Sequence, residues 1–235
     1  MAAVPVAALR DVCLDATDAL MLGRFWSAAL GAAFHDNGDK SSHLEYIRPG
    51  DLSMWVDPVP EPRTGKTRVH LDLRLPTADP APLVAAGATV VREPAAKRPW
   101  WVLADPDGNE FCAFPPRPGA APATVEVYEL VVDCVDSAAQ AAWWASVLGG
   151  RVDVGASGSS SVVGAAGVPW ERWVFCPVPE RKTVKNRMHW DVNLTAADPG
   201  ALVAAGARVL REPDDTISWW IMVDPEGNEF CAFAP

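Results

Sequence analysis

The sequence predicts an α+β protein made of two tandem units, each built from two β-α-β-β-β modules. Three observations carry this expectation. Residues His70–Phe114 recur at His189–Phe233 with 27 of 45 positions identical and no gap. Earlier stretches recur too: "DALMLGRFWSAALG" (Asp18–Gly31) matches "DSAAQAAWWASVLG" (Asp136–Gly149), and "PVPEPRTGKTRVHLD" matches "PVPERKTVKNRMHWD". Within each copy, strand-length alternating stretches are interrupted by helical patterns. A self-match at this spacing means a duplicated unit. The two units span residues 1–115 and 125–235, joined by a Pro/Ala/Gly linker at 116–124 that continues neither strand nor helix.

The elements follow in order. Strand Leu9–Asp15 alternates, and Asp18 is a helix N-cap. The helix after it places Leu22, Phe25, Trp26, Ala29 and Leu30 on one face and stops at Gly31, where a left-handed residue belongs. Short strands are expected over His43–Arg48 and Leu52–Asp57. The pattern then restarts: strand Val69–Leu75, Asp79 before Pro80 at a first helical position, a short Ala-rich helix and Gly87 as stop. Strands Thr89–Arg92, Trp100–Ala104 and Glu110–Phe114 close the unit around the turn "DPDG". The second copy repeats each step. The helices should cover one face of each sheet and leave the other curved and open.

Bulk properties exclude several classes. A net charge of −10 provides no basic stripe for phosphates, so a nucleic-acid partner is not expected. No apolar run approaches the ~20 residues of a membrane helix, and the start shows no signal peptide. Five scattered cysteines without CxxC spacing predict reduced thiols and a cytoplasmic setting.

Alternation sorts the side chains of the open faces. His70, Asp72 and Arg74 share one, as do His189, Asp191 and Asn193. Glu110, Cys112 and Phe114 lie together, and so do Glu229, Cys231 and Phe233. Asp11, Cys13 and Asp15 share a face in the first strand, and Glu129, Val131 and Asp133 in its counterpart. Faces collecting His, Asp, Arg and Cys are not dry cores.

These modules, with "FWSAALG"/"WWASVLG" and "DPDGNEFCAF"/"DPEGNEFCAF", resemble the vicinal oxygen chelate superfamily. More narrowly, they resemble its glyoxalase-like, bleomycin-resistance-like branch, common in actinobacteria. The resemblance implies a tandem glyoxalase/bleomycin resistance/dioxygenase fold with four βαβββ modules in two domains. Family members form a half-open barrel around a cup. Their metal positions fall on Asp11, His70, Cys112 and near Asp57 in the first copy, and on Glu129, His189, Cys231 and near Cys176 in the second. Cysteine thus replaces the family's usual carboxylate in both copies. The second set is the richer one and is expected to be the working one.

The resemblance leaves two functions open. The first is a small-molecule binder, of the resistance or biosynthesis-accessory type, with no cofactor and with aromatic walls. Its ligand-binding residues would be Arg68, His70, Asp72, Trp101, Arg187, His189, Asp191 and Trp220, with Trp55, Trp173 and Trp190 as further walls. The second is a zinc-dependent lyase or isomerase. There, thiolate and imidazole would hold zinc, and Glu110 or Glu229 would move the proton. Cys112 beside His70 also raises a thiol nucleophile, and the Lys66/Arg68 and Lys185/Arg187 pairs raise an anion anchor or salt bridges. The two halves are expected to pair within the chain, and a homodimer stays open.

Overall fold

The computed structural model describes residues 4–45, 52–155 and 157–235. The first module runs β1 (Ala7–Ala16), α1 (Ala19–Leu30), β2 (Ala33–Asp36), β3 (Ser42–Glu45), β4 (Met54–Pro58). The second runs β5 (Val69–Arg74), α2 (Ala81–Ala86), β6 (Thr89–Arg92), β7 (Trp101–Ala104), β8 (Glu110–Phe114). The third has β9 (Glu126–Cys134), α3 (Ser137–Leu148), β10 (Arg151–Val154), β11 (Ser160–Val163) and β12 (Arg172–Pro177). The fourth has β13 (Met188–Leu194), α4 (Gly200–Ala204), β14 (Arg208–Arg211), β15 (Trp220–Val223) and β16 (Glu229–Phe233).

Local chemistry fixes the helix ends. Asp18 Oδ1 accepts the Met21 amide at 2.9 Å, and Asp136 does the same for Ala139. Gly31 closes α1 at φ 66, a left-handed conformation that glycine adopts without strain. Three expectations need correction. Pro80 caps α2 itself, while Asp79 accepts the Ala81 amide from outside the helix. β2 follows Gly31 as a strand that the pattern reading did not register. The strand expected over His43–Arg48 occupies Ser42–Glu45, and its last three residues lie outside the described residues.

The sheets do not follow the repeats. One sheet, here sheet A, has the order β14-β15-β16-β13-β1-β4-β3-β2; the other, sheet B, reads β10-β11-β12-β9-β5-β8-β7-β6. Sheet A therefore joins the first module to the fourth through the antiparallel pair β1/β13, and sheet B joins the second to the third through β5/β9. Each sheet takes one module from each repeat.

The segments entering β5 and β13 secure this exchange. Arg187 donates to the Glu61 carbonyl at 3.0 Å and to Asp107 Oδ2 at 2.9 Å, and the Asp15 amide donates to the Arg187 carbonyl. Arg68 mirrors it, donating to the Glu180 and Asp133 carbonyls at 3.0 Å each. Gly167 lies against β1 at φ 77, and a Cβ there would sit 2.0 Å from the Leu9 carbonyl oxygen. No other residue fits that crossing.

Buried apolar residues of all four modules form one continuous core. Trp144 of α3 meets Trp173 of sheet B, and Trp190 and Phe230 of sheet A, with ring centroids 4.9–5.3 Å apart. Its Nε1 reaches Asp224 in the "DPEGN" turn at 3.3 Å, as Trp26 reaches Asp105 in "DPDGN". Each helix tryptophan thus ties its own sheet to the other one. Trp173 and Trp190, expected as cup walls, are fully buried in this core, because their strand positions face the helices.

Candidate functional site

The open face of sheet A carries a transverse row of side chains fixed by strand register: His35 opposite His43, His43 opposite Trp55, Trp55 beside Cys13, and Cys13 opposite His189. One step along, Asp11 stands opposite Asp191, which pairs in turn with Cys231. The donor atoms of Cys13, His189 and Asp191 all lie within 4.8 Å of one another, and Cys231 Sγ is 3.7 Å from His189 Nε2. Asp191 Oδ1 is buried and has no hydrogen-bond partner.

The open face of sheet B repeats the plan with changes. Asp72 stands opposite Glu129 and beside Cys112, while His70 faces Val131 where sheet A has Cys13. His70 Nε2 lies 3.4 Å from Asp72 Oδ1 and 3.9 Å from Cys112 Sγ. A cleft of about 190 Å³ opens here, lined by Lys66, Thr67, His70, Arg92, Glu110 and Cys112 among others. On the same face Trp100 stacks on Phe114 at 5.0 Å, Phe114 meets Tyr128 edge-on at 5.7 Å, and the Arg74 guanidinium lies over both Phe114 and Tyr128.

Electrostatics reflect crowding of acids in both cups. Burial, with the neighbouring Asp11 charge, pushes the Asp191 carboxyl up to about 7. Burial and the Asp72 charge do the same to Glu129, again to about 7. Burial lowers His189. It also raises Cys13, Cys112 and Cys231, with nearby aspartates adding to the effect, and lifts Cys176 to about 11. These thiols are held protonated, so the thiol nucleophile suggested by Cys112 and His70 finds no activation here.

The grouping expected from chain order is corrected. Asp11 and Asp57 share sheet A with His189 and Cys231, whereas Glu129 and Cys176 share sheet B with His70 and Cys112. The cause is the exchange of modules between repeats. Arg68 and Arg187 are buried and engaged at the crossings. Trp101 and Trp220 face the helices: Trp101 pairs with buried Ala113, and Trp220 with buried Ala232. Their neighbours Trp100 and Trp219 take the cup side, stacked on Phe114 and Phe233. Lys66 and Lys185 bridge to Asp133 and Asp15 at 2.5 Å, not to Asp72 or Asp191. Glu229 is held by Lys182 at 2.5 Å, while Glu110 has no ion pair among the described residues. Cys13 lies on the expected face, two residues past the family position at Asp11, and joins His189 and Asp191. His35 and His43 stand outside the expected sites; Asn37–Gly38 marks a turn, but as a two-residue hairpin it would set His35 opposite Lys40, and only the five-residue loop 37–41 brings His35 opposite His43.

Sheets of paired βαβββ modules, each folded around an open cup carrying His, Asp and Cys, define the class. The sequence matches the glyoxalase-like domain family twice, over residues 11–114 and 129–233. The chain belongs to that family. Its fold is similar to glyoxalase I from Zea mays (TM-score 0.62, 13% identity, covering 96% of this chain and 92% of that one). It is also similar to a putative dioxygenase from Bacillus subtilis (TM-score 0.64, 10% identity, covering 99% and 86%). At these identities the likeness concerns the fold. No curated protein matches the sequence. No helix among the described residues is long and apolar enough to cross a membrane.

Proposed function

We propose that the chain binds a small aromatic molecule in the cleft of sheet B. The carrying observation is a pair of uncommitted opposite charges. Arg92 and Glu110 both line the cleft, and neither has an ion pair among the described residues. Their counterparts on sheet A are engaged, Arg211 with Asp214 at 2.7 Å and Glu229 with Lys182. Arg92 suits an anionic or carbonyl group of a ligand, Glu110 suits a donor, and Val102 and Phe111 supply the apolar part of the lining for a flat ring. His70 and Cys112 line its inner side. The test is calorimetric titration with a panel of small aromatic acids and amides, against R92A and E110Q. A true ligand should bind each variant about tenfold more weakly, roughly 1.4 kcal/mol. Ligands whose affinity ignores both substitutions would place the site elsewhere, and a panel without any binder would sink the reading.

The centre of sheet A supports a second reading, a zinc-dependent lyase or isomerase. The residues fit the metal: a thiol, an imidazole and a carboxylate, with the unpartnered Asp191 Oδ1 among them, lie within reach of one another, and a second thiol, Cys231, stands 3.7 Å from the imidazole. Cys13, His189, Asp191 and Cys231 would hold the ion, which would supply a Lewis acid for a carbonyl oxygen. Beside them Asp57, raised by burial and the Asp15 charge, is placed to hold or move a proton. Glu229 is tied up by Lys182 and does not serve. Cobalt(II)-substituted protein should show thiolate-to-cobalt charge-transfer absorption from one ion per chain, absent in C13S/C231S. No such absorption in wild type, or absorption that survives the double substitution, would remove this reading.

A further inference from the structure

We infer that the outer edge of sheet A holds a second, independent site for a divalent transition-metal ion, formed by His35, His43 and Glu45. This goes beyond both readings above, because none of these residues touches the sheet B cleft or belongs to the Cys13/His189 centre. The three stand on adjacent strands, with His35 directly opposite His43 and Glu45 two residues further along β3 on the same face. Their donor atoms lie within 4.8 Å of one another. His35 Nε2 is 3.5 Å from Glu45 Oε2, and His43 Nε2 is 3.9 Å from Glu45 Oε1.

The surroundings prepare these groups as ligands. His43 Nδ1 meets the Asn37 side-chain carbonyl oxygen at 2.7 Å. An amide oxygen only accepts, so the proton sits on Nδ1 and the Nε2 lone pair faces Glu45. Asn37 is itself fixed, its amide donating to Ser41 Oγ at 2.8 Å, and Ser41 Oγ donates to Asp39 at 2.6 Å. This is the outer support that orients a metal-binding imidazole. The His35 and His43 rings stack at 4.7 Å with 12° between planes, and His43 stacks in turn on Trp55 at 4.7 Å. Metal–nitrogen bonds lie in the plane of each imidazole, so binding one ion tilts the two rings out of this stack toward a common point. His35 Nε2 is buried and makes no hydrogen bond among the described residues.

Two imidazoles and one carboxylate suit zinc, iron(II), cobalt or nickel and leave coordination positions open. Drawing two ring nitrogens to a common ion needs them roughly 3.3 Å apart, from metal–nitrogen distances of about 2.0–2.1 Å. The side chains of His35 and Glu45 are each 43% exposed, which leaves them room for that closure. Among the described residues this set occurs once. At the corresponding register sheet B has Asp153 opposite Ser161, followed by Val163.

Cobalt(II) is the probe. Full-length chain carrying C13S/C231S, stripped of metal, is titrated with Co²⁺ by calorimetry and visible absorption. One ion per chain should bind, with d–d bands and no thiolate-to-cobalt charge-transfer absorption. In the same background H35A/H43A should weaken binding at least a hundredfold, and N37A by ten- to a hundredfold. E45Q removes a ligand charge while leaving the ring stack in place and should also weaken binding at least tenfold, which guards against misfolding of the histidine variant. No uptake by C13S/C231S, or uptake that E45Q and H35A/H43A leave unchanged, would overturn the site.

Discussion

Trp144→Ala is expected to lower unfolding free energy by about 3–5 kcal/mol, the range for deleting a large buried aromatic side chain. Trp144 is fully buried and touches both sheets at once: Trp173 on one side, Trp190 and Phe230 on the other. Its loss also leaves Asp224 without the indole donor, although Gln140 and Asn228 still donate to that carboxylate. Because Trp144 links the layers, the damage should appear in both repeats together. Denaturant unfolding of the variant, followed by circular dichroism and by hydrogen exchange, should show one transition at a lower midpoint. A loss below about 1 kcal/mol, or softening confined to residues of the second repeat, would show that the core does not act as one body.

The second large effect concerns pH. Asp191 and Glu129 sit in the cups with folded pKa values of about 7 each, raised by burial and by like-charged neighbours. In the unfolded chain both fall near 4. The folded state therefore binds the extra protons, and this stabilisation is fully present below about pH 4 and lost as pH rises through about 7. The Asp191 contribution is on the order of 1–2 kcal/mol between pH 5 and pH 8 after allowing for solvent relaxation. Glu129, less deeply buried, contributes less. His189, lowered by burial, acts in the opposite sense, since its stabilisation is lost as pH falls. The clean readout is a difference. D191N/E129Q should gain Tm relative to wild type as pH is raised from 5 to 8. A constant Tm difference across that range would mean the carboxylates titrate normally.

Much of the fold was legible because its signals are local or periodic. The repeat is written in the letters themselves, the helix starts in Asp18 and Asp136, and the end of α1 in Gly31. Which strand would pair with which was not legible. β1, β5, β9 and β13 have similar alternating faces, and nothing in their residues separates a partner within the repeat from one across it. The contacts at the crossings are distant in sequence: the carbonyl and carboxylate partners of Arg68 and Arg187 lie 65–126 residues away. The candidate site suffered accordingly: His70, Cys112, His189 and Cys231 were placed on open faces, but their companions were drawn from the wrong module. The tryptophan pairs turned on parity. The turn pairs Ala104 with Glu110, so Trp101 falls opposite Ala113 and Trp100 is left beside Phe114. Sequence alternation said only that one of each pair must leave the core.

The exchange of modules has a consequence for how the two cups vary. In a symmetric assembly of two identical chains, every substitution would enter both cups at once. Here the two copies are written separately, so a change in one module reaches one cup only. Cys13 against Val131, Trp55 against Val174, and the imidazole pair against Asp153 and Ser161 are the record of that freedom. One half of the molecule has been released to specialise while the other keeps its partner's frame, and neither half can be cut away without opening a sheet through its middle.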